Sequence, residues 1–261
     1  MNFYIFCGGT NFGFHNGALV GRYGADKPDA KNRYLPFATS YDVDALVTEY
    51  GQPTPKYYRC KQVLKEYMAS KGYEFTGTQD MGGYVCKTQK IENVKMTKAA
   101  DFIDNAKKLA KEVRNSRLPL TFKDMDLDYG FMLYSTEIKY TDNAKRSITI
   151  EGLQDRAMIF VDGEYIGSIM RDRQQEPLIF DVPKEGAKLD ILVENMGRVN
   201  YGCAMINEYK GICGYVRIEI VCEDSSLYPW NYAQKMKWTN IALSCDDMSK
   251  IDFNIPLKSN R

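Results

Sequence analysis

Histidine is nearly missing from this chain: His15 stands alone among 261 residues. One imidazole beside glycines reads as a hydrogen-bonded loop residue. With no Ser or Cys motif for it to serve, it argues against a catalytic dyad or triad. The seven cysteines (Cys7, Cys60, Cys86, Cys203, Cys213, Cys222 and Cys245) form no CxxC pair and are widely spaced. That removes zinc-ligand spacing and any disulfide framework, so no metal is expected and reduced thiols point to the cytoplasm. Charge of one sign is also lacking. Lys plus Arg is 35 against 34 Asp plus Glu, a formal +1, so no global field recommends nucleic acid or an anionic membrane as a partner. No apolar run is long enough to span a bilayer, and no basic n-region leads into one at the start, so neither a membrane segment nor a secretory signal is expected. Internal repeats and low-complexity segments are absent too.

Aromatic residues are plentiful at 13%, with 19 tyrosines, a composition common in β-rich and sugar-handling proteins. The chain is long enough for one to three domains and a sizeable core. Its most informative stretch is residues 2–18. An apolar strand, Phe3 to Phe6, runs into a glycine-rich loop bearing amides and aromatics, Gly8 to Gly17. A parallel barrel strand delivers a ligand-facing loop in this way at its C-terminal end. A barrel strand cannot stand first and alone, so the chain reads as the rear part of something larger.

The remaining segments follow from periodicity. Residues 19–55 read as irregular, with Gly21, Gly24, Pro28, Pro36, Gly51, Pro53 and Pro55: a functional surface loop or a disordered one. Lys56 to Ser70 is an amphipathic helix, with Tyr57, Cys60, Val63, Leu64, Tyr67 and Met68 on one face and Lys61, Lys65 and Glu66 opposite. Gly72 supplies its stop. Lys98 to Arg114 has helical composition, its Lys107, Lys108 and Lys111 forming a solvated face. From Asp128 the period becomes two. Phe131–Tyr140, Arg146–Glu151, Ala157–Val161, Glu164–Ile169, Leu178–Val182, Lys188–Val193 and Gly214–Val221 are predicted strands. Asp162-Gly163 marks a hairpin, and Glu185-Gly186 marks another turn. Short strands with frequent turns predict a β-sandwich, a jelly roll. Tyr228-Pro229-Trp230 and Asp252–Leu257 read as edge strands or as the start of a further domain. The fold class is thus mixed and mainly β-sandwich, preceded by a terminal βα unit of an incomplete (β/α)8 barrel. The expected division is 1–72 (barrel strand, loop and helix), 73–117 (linker with a helical segment), 118–223 (sandwich) and 224–261 (edge strands or a second β-domain). Without neighbouring strands, 1–72 is expected to be loosely attached, disordered or self-associating, while 118–223 folds on its own.

These residues carry a family resemblance. Asn2-Phe3-Tyr4-Ile5-Phe6 with Gly8-Gly9-Thr10-Asn11-Phe12-Gly13 resembles the last barrel strand of glycoside hydrolase family 35, the β-galactosidases. Thr39-Ser40-Tyr41-Asp42 and Asp44-Ala45 resemble its T-S-Y-D-Y-D-A loop, and Glu49, Gly51 and Lys56-Tyr57 fit the segment after it. Asp155-Arg156-Ala157, Val161-Asp162-Gly163, the run Leu189 to Gly202 and Lys210-Gly211-Ile212 resemble its first β-domain. The resemblance runs in register from residue 2 to about 222.

What the resemblance implies is a retaining hydrolase of terminal β-D-galactosides. Such an enzyme works with two carboxyl groups roughly 5–5.5 Å apart. In the family both are glutamates on earlier barrel strands, upstream of the Gly8-Gly9-Thr10-Asn11-Phe12 segment, where only Met1 and the strand itself stand here. No catalytic residue is therefore assigned in this chain, which is expected to be inactive alone. The carboxylates Asp42, Asp44 and Glu49 share one loop and lack the rigid, desolvated seat that a nucleophile needs. Tyr4 matches a galactose-contacting tyrosine, and its alternative role is a packed strand aromatic. Asn11 braces the loop at the rim of the sugar cleft. Tyr41 keeps the first loop tyrosine and reads more readily as loop packing than as sugar contact. The second, sugar-lining tyrosine is Val43 here, which removes a hydroxyl and a ring that could stack on a pyranose. Gly8-Gly9-Thr10-Asn11 lacks the Gly-Lys-Ser/Thr ending of a phosphate loop. Glu194, Asn195, Arg198, Asn200 and Tyr201 read as a turn braced by side-chain hydrogen bonds and an Arg–Glu pair. No cofactor is expected. The expected partners are a β-galactoside or related glycan and the missing N-terminal barrel chain. Two other readings are a non-catalytic carbohydrate-binding or accessory sandwich module, and a subunit that completes a split glycosidase.

Overall fold

The structure is a computed structural model that describes residues 2–22, 32–37, 39–76, 85–140, 144–172, 177–221, 236–244, 250–251, 253 and 255–256. Gly24, Pro28, Cys222, Cys245, Tyr228-Pro229-Trp230 and the ends of Asp252–Leu257 lie outside the described residues. The chain divides into two compact units. One is Met1–Asn16 with Phe37–Lys95, the other Gly17–Pro36 with Met96–Arg261.

The strands in chain order are β1 (Gly17–Arg22), β2 (Asn32–Pro36), β3 (Lys98–Ala99), β4 (Ala110–Ser116), β5 (Gly130–Ile138), β6 (Arg146–Ile150), β7 (Leu153–Gln154), β8 (Arg156–Val161) and β9 (Glu164–Met170). They continue as β10 (Leu178–Phe180), β11 (Ala187–Asn195), β12 (Arg198–Val199), β13 (Gly211–Ile212), β14 (Val216–Ile220), β15 (Trp238–Leu243) and β16 (Ile255–Pro256). The helices are α1 (Pro55–Ser70) and α2 (Phe102–Leu109).

In the first unit α1 begins and ends where local chemistry directs. Thr54 caps it by accepting from the Tyr57 N–H (3.3 Å), and Pro55 at the first position has no donor to lose. At the other end Gly72 has φ +72°, and the Tyr73 N–H reaches back to Met68 O at 3.0 Å. The face that turns inward is Tyr57, Cys60, Lys61, Leu64 and Met68, all half-buried. Val63 and Tyr67, predicted on that face, fall off the narrow stripe and are exposed. No residue of α1 is buried. The predicted strand Phe3–Phe6 keeps a strand's alternation, with Tyr4 and Phe6 exposed and Phe3 and Ile5 half-buried, but it forms no ladder. Its link to a neighbour is Phe6 O, which accepts from Val47 N at 3.0 Å next to a parallel Cys7–Val47 bridge. Parallel strands draw all their backbone partners from neighbours, and no neighbouring strand is present among the described residues.

The second unit is a β-sandwich. One sheet has the order β4-β15-β5-β11-β8-β9, the other β10-β6-β14. Period-two patterning explains the core between them. Met132, Tyr134 and Ile138 of β5 point inward with Ile159, Leu189, Ile191 and Val193 from the same sheet, Ile148 and Ile150 from the facing one, and Trp238 of β15. All seven predicted strand runs contain strands. Asp162 (φ 49°) and Gly163 (φ 82°) form the turn between β8 and β9, the two left-handed residues of a tight hairpin.

Two expectations are corrected in this unit. The helix predicted over Lys98–Arg114 covers only Phe102–Leu109. Ala106 and Leu109 are buried with Leu133, Leu192 and Ile241 on the outer face of the large sheet. From Ala110 the chain becomes edge strand β4, paired to β15, with Val113 opposite Ile241. Pairing with a strand more than a hundred residues away overrides a helical composition, because helix propensity is a weak prior. The second correction concerns residues 19–55, read as irregular. They contain the hairpin β1–β2, in which Leu19 faces Leu35 and Val20 faces Tyr34, and β1 also pairs in parallel with β12.

Gly211 has φ +95°, and a Cβ there would lie 2.4 Å from Tyr134 Oη. That hydroxyl donates to Leu120 O (2.7 Å) and accepts from Ile212 N (3.2 Å) in the core. Gly211→Ala is expected to cost about 2–5 kcal/mol, combining left-handed strain with overpacking. Urea unfolding should show a lower midpoint at unchanged slope, and an unmoved midpoint would contradict this packing.

Candidate functional site

The glycine-rich loop forms two limbs of the first unit, Gly8–Asn16 and Phe37–Ala45. They run side by side through an antiparallel Thr10–Ser40 bridge. Asn11 N donates to Thr39 O (2.6 Å) and Tyr41 N to Gly9 O (3.0 Å). Asn11 Nδ2 donates to Phe37 O at 2.9 Å, so this side chain ties the two limbs. Gly8 is dictated by close approach, since a Cβ there would lie 1.9 Å from Tyr41 O. The Tyr41 ring packs edge-on to Phe37 with centroids 4.9 Å apart. Tyr4 is 93% exposed, and Val43 is exposed as well. The structure thus brings Asn11 and Tyr41 into one braced loop and leaves Tyr4 open to solvent.

The loop carboxylates are occupied locally. Asp42 Oδ1 accepts from Ala45 N (3.1 Å), while Asp42 N donates to Ser40 Oγ (3.1 Å). Asp44, at φ 52°, holds Lys56 through its side chain (2.9 Å) and its carbonyl (2.6 Å). Glu49 Oε1 is buried with no hydrogen-bond partner. His15 is exposed, and its N–H donates to Phe12 O at 3.4 Å. Beside the loop, Phe3, Phe6, Leu46, Tyr57, Cys60, Leu64 and Phe75, with Lys61, line a mainly apolar cavity of about 150 Å³. Among the described residues no cluster of His, Cys, Asp or Glu could hold a metal ion, and no helix is long and apolar enough to cross a membrane.

The second unit contains a polar centre that sequence reasoning missed. Asp155 is fully buried beside the equally buried Lys210, whose Nζ lies 2.9 and 2.8 Å from its two oxygens. Lys210 also reaches Glu208 (2.6 Å) and Gly197 O (2.7 Å), and Arg171 pairs with Asp155 (2.8 Å) and Glu208 (3.3 Å). Met196 N donates to Asp155 Oδ2 at 2.8 Å. The Tyr34 hydroxyl shares its proton between Asp155 Oδ2 (3.0 Å) and Gly197 O. Burial pushes the Tyr34 phenol well above its ordinary range, and the Asp155 carboxylate adds to this. Burial pulls the Arg171 guanidinium down, but Asp155 and Glu208 outweigh it and the net shift is upward. Two cations face two carboxylates, and both Asp155 oxygens and Glu208 Oε1 are taken, so the cluster is a structural tie rather than an acid or base for chemistry. Asp155-Arg156-Ala157 and Lys210-Gly211-Ile212 contain its centre; the signal available was a pair of opposite charges set among core strands.

The Glu194–Tyr201 turn is braced as expected. Asn195 Nδ2 (2.9 Å) and Arg198 Nε (3.1 Å) donate to Asp128 O, and Gly197 N donates to Asn195 Oδ1 (3.0 Å). The arginine that pairs with Glu194 is Arg156 (2.5 Å), its ladder partner on β8.

Comparison with known proteins decides the family. Residues 1–67 match the profile of glycosyl hydrolases family 35, and residues 119–234 match that of the beta-galactosidase first all-beta domain. The chain belongs to glycosyl hydrolase family 35. The two matches stand in the order expected for the end of the family's barrel followed by its first sandwich. A beta-galactosidase-1-like protein of Mus musculus is 31% identical over 246 residues, covering 91% of this chain and 34% of the relative. A beta-galactosidase of Xanthomonas manihotis is 32% identical over 219 residues (84% and 33%), and the Homo sapiens beta-galactosidase is 32% identical over 233 residues (88% and 31%). The chain therefore spans about a third of the length of these relatives.

Proposed function

We propose that this chain supplies one wall of a β-galactoside-hydrolysing cleft, and that the acid/base and nucleophile glutamates come from barrel strands outside residues 1–261. Tyr4 would face the sugar, Asn11 would hold the rim and Tyr41 would pack the loop behind it. The observation that carries this reading is the pairing of a braced glycine-rich loop with a Tyr4 that is 93% exposed. Asp42 and Asp44 are committed to loop hydrogen bonds and to Lys56, which supports a chain that is inactive by itself. The half-buried stripe of α1 and the apolar cavity beside it suit a barrel-completing partner chain. Val43 in place of a sugar-lining tyrosine weakens stacking on the pyranose, so the preference for the terminal sugar would be broader than strict galactose. The five described cysteines, Cys7, Cys60, Cys86, Cys203 and Cys213, are free thiols, which suits a reducing compartment.

Release of p-nitrophenol from its β-D-galactoside tests this. The purified chain alone is expected to give no turnover, and the same chain mixed with the preceding barrel segment of a relative is expected to give it. Turnover by the chain alone that disappears in Asp44→Asn or Glu49→Gln would overturn the reading.

A second reading, a glycan-binding sandwich, draws on a polar concavity of about 600 Å³ lined by Ser135, Thr136, Glu137, Lys139, Lys188, Lys237 and Thr239. None of those side chains offers a ring to stack on a sugar, so the cleft-wall reading stands ahead of it.

A further inference from the structure

The chain leaves the first unit at Asn16 and re-enters it at Phe37, and the described residues between are the paired strands β1 and β2. The two limbs of the sugar-facing loop are therefore joined through that hairpin. The tie from Asn11 Nδ2 to Phe37 O spans 26 residues of sequence. Closing a flexible segment of that length carries an entropic cost, which a formed hairpin removes by shortening the connection. Ala18 pairs with Pro36 at the hairpin's base, so a formed hairpin delivers the two limbs next to each other.

A two-stranded hairpin is at best marginal in water and needs an anchor. Here the anchor has two parts. Ala18 and Val199 bury the base of β1 against β12, and Tyr34 reaches from β2 into the Asp155–Lys210 cluster. The Tyr34 ring lies under both cations, with Arg171 at 4.6 Å and Lys210 at 5.0 Å from its centroid. Its backbone N–H donates to Asp172 Oδ2 at 2.7 Å.

We propose that Tyr34 is a positioning residue for the loop formed by Gly8–Asn16 and Phe37–Ala45. By latching the hairpin to the buried ion cluster it keeps the two limbs in register. The proposal rests on the cleft-wall reading only for the purpose of the loop, not for the latch itself.

Tyr34→Phe isolates the hydroxyl. The ring keeps its place over Arg171 and Lys210. Asp155 keeps Lys210, Arg171 and the Met196 N–H, and Gly197 O keeps Lys210, so no buried group is left without a partner. Amide hydrogen exchange on the whole chain tests the latch. In Tyr34→Phe the Asn11, Val20 and Tyr41 amides should exchange about five- to tenfold faster, as expected for the loss of a buried hydrogen bond. Amides in the β5–β11 ladder should be unchanged. Faster exchange in the hairpin with Asn11 and Tyr41 unmoved would overturn the proposal. So would an equal acceleration in β5 and β11, which a merely structural residue would produce. If Tyr34→Phe fails to fold, Asp172→Ala, which removes only the acceptor for Tyr34 N, gives the same comparison. Failure of the mixed chains to turn over a β-galactoside would count against the cleft-wall reading and leave the exchange result to judge the latch.

Discussion

Replacing Asp155 with alanine is expected to destabilise the sandwich unit by about 3–5 kcal/mol, the usual cost of removing one partner from a buried ion pair. The loss is large because of what remains. Lys210, with no exposed side-chain surface, would keep Glu208 and the Gly197 carbonyl but lose both carboxylate oxygens. The Met196 N–H would lose its acceptor, and Tyr34 one of its two. At about 2–4 °C per kcal/mol for a domain of this size class, the melting temperature should fall by roughly 6–20 °C in scanning calorimetry. A shift under about 2 °C would mean that the charges are solvated rather than buried. The same substitution should leave α1 intact, since Thr54, Pro55 and Gly72 set its ends locally.

The second large effect concerns the far end of the chain. Removing residues 224–261 is expected to abolish cooperative folding of the sandwich. β15 lies inside the six-stranded sheet, between β4 and β5, with Asn240 opposite Tyr134 on one side and Arg114 on the other. Its Trp238 is 2% exposed and belongs to the main core. Trp238→Ala alone should cost about 3–5 kcal/mol through lost burial and the cavity it leaves. The truncated chain should show a broad urea transition and weak near-ultraviolet dichroism. A sharp transition at the full chain's midpoint would show that 118–223 is self-sufficient. The structure indicates otherwise: without β15, edge strand β4 has no partner, and the long strand β5 becomes an open edge.

Much of the fold was legible where one local rule suffices. Helix α1 could be placed to within a residue because its 3.6-residue period ends at Gly72. The seven strand runs followed from period two, and Asp162-Gly163 marked its hairpin by itself. Legibility ended where a segment's partner is remote. Ala110–Ser116 has helical composition yet becomes a strand, because β15 offers it a ladder. Residues 17–36 look like loop because, among the described residues there, only Ala18 and Tyr34 are buried, and their burial depends on Val199 and Asp155. At the candidate site, the bracing role of Asn11 was implied by the family resemblance, and its partner Phe37 O lies 26 residues away. The Tyr34–Asp155–Lys210–Arg171–Glu208 cluster was not, since its members span the chain from residue 34 to residue 210 and share no local pattern.

By itself, then, the sequence determined the family 35 identity, the mainly β class, the period and turns of the strands, and the glycine stop of α1. Each of these is encoded by neighbours within a few residues or by an extended motif. Only the tertiary structure decided which strands complete the large sheet, where the helical segment gives way to β4, and what holds the hairpin. Those outcomes turn on long-range burial. A charge such as Lys210 is tolerable in a core only when Asp155 and Glu208 arrive from elsewhere in the chain to meet it.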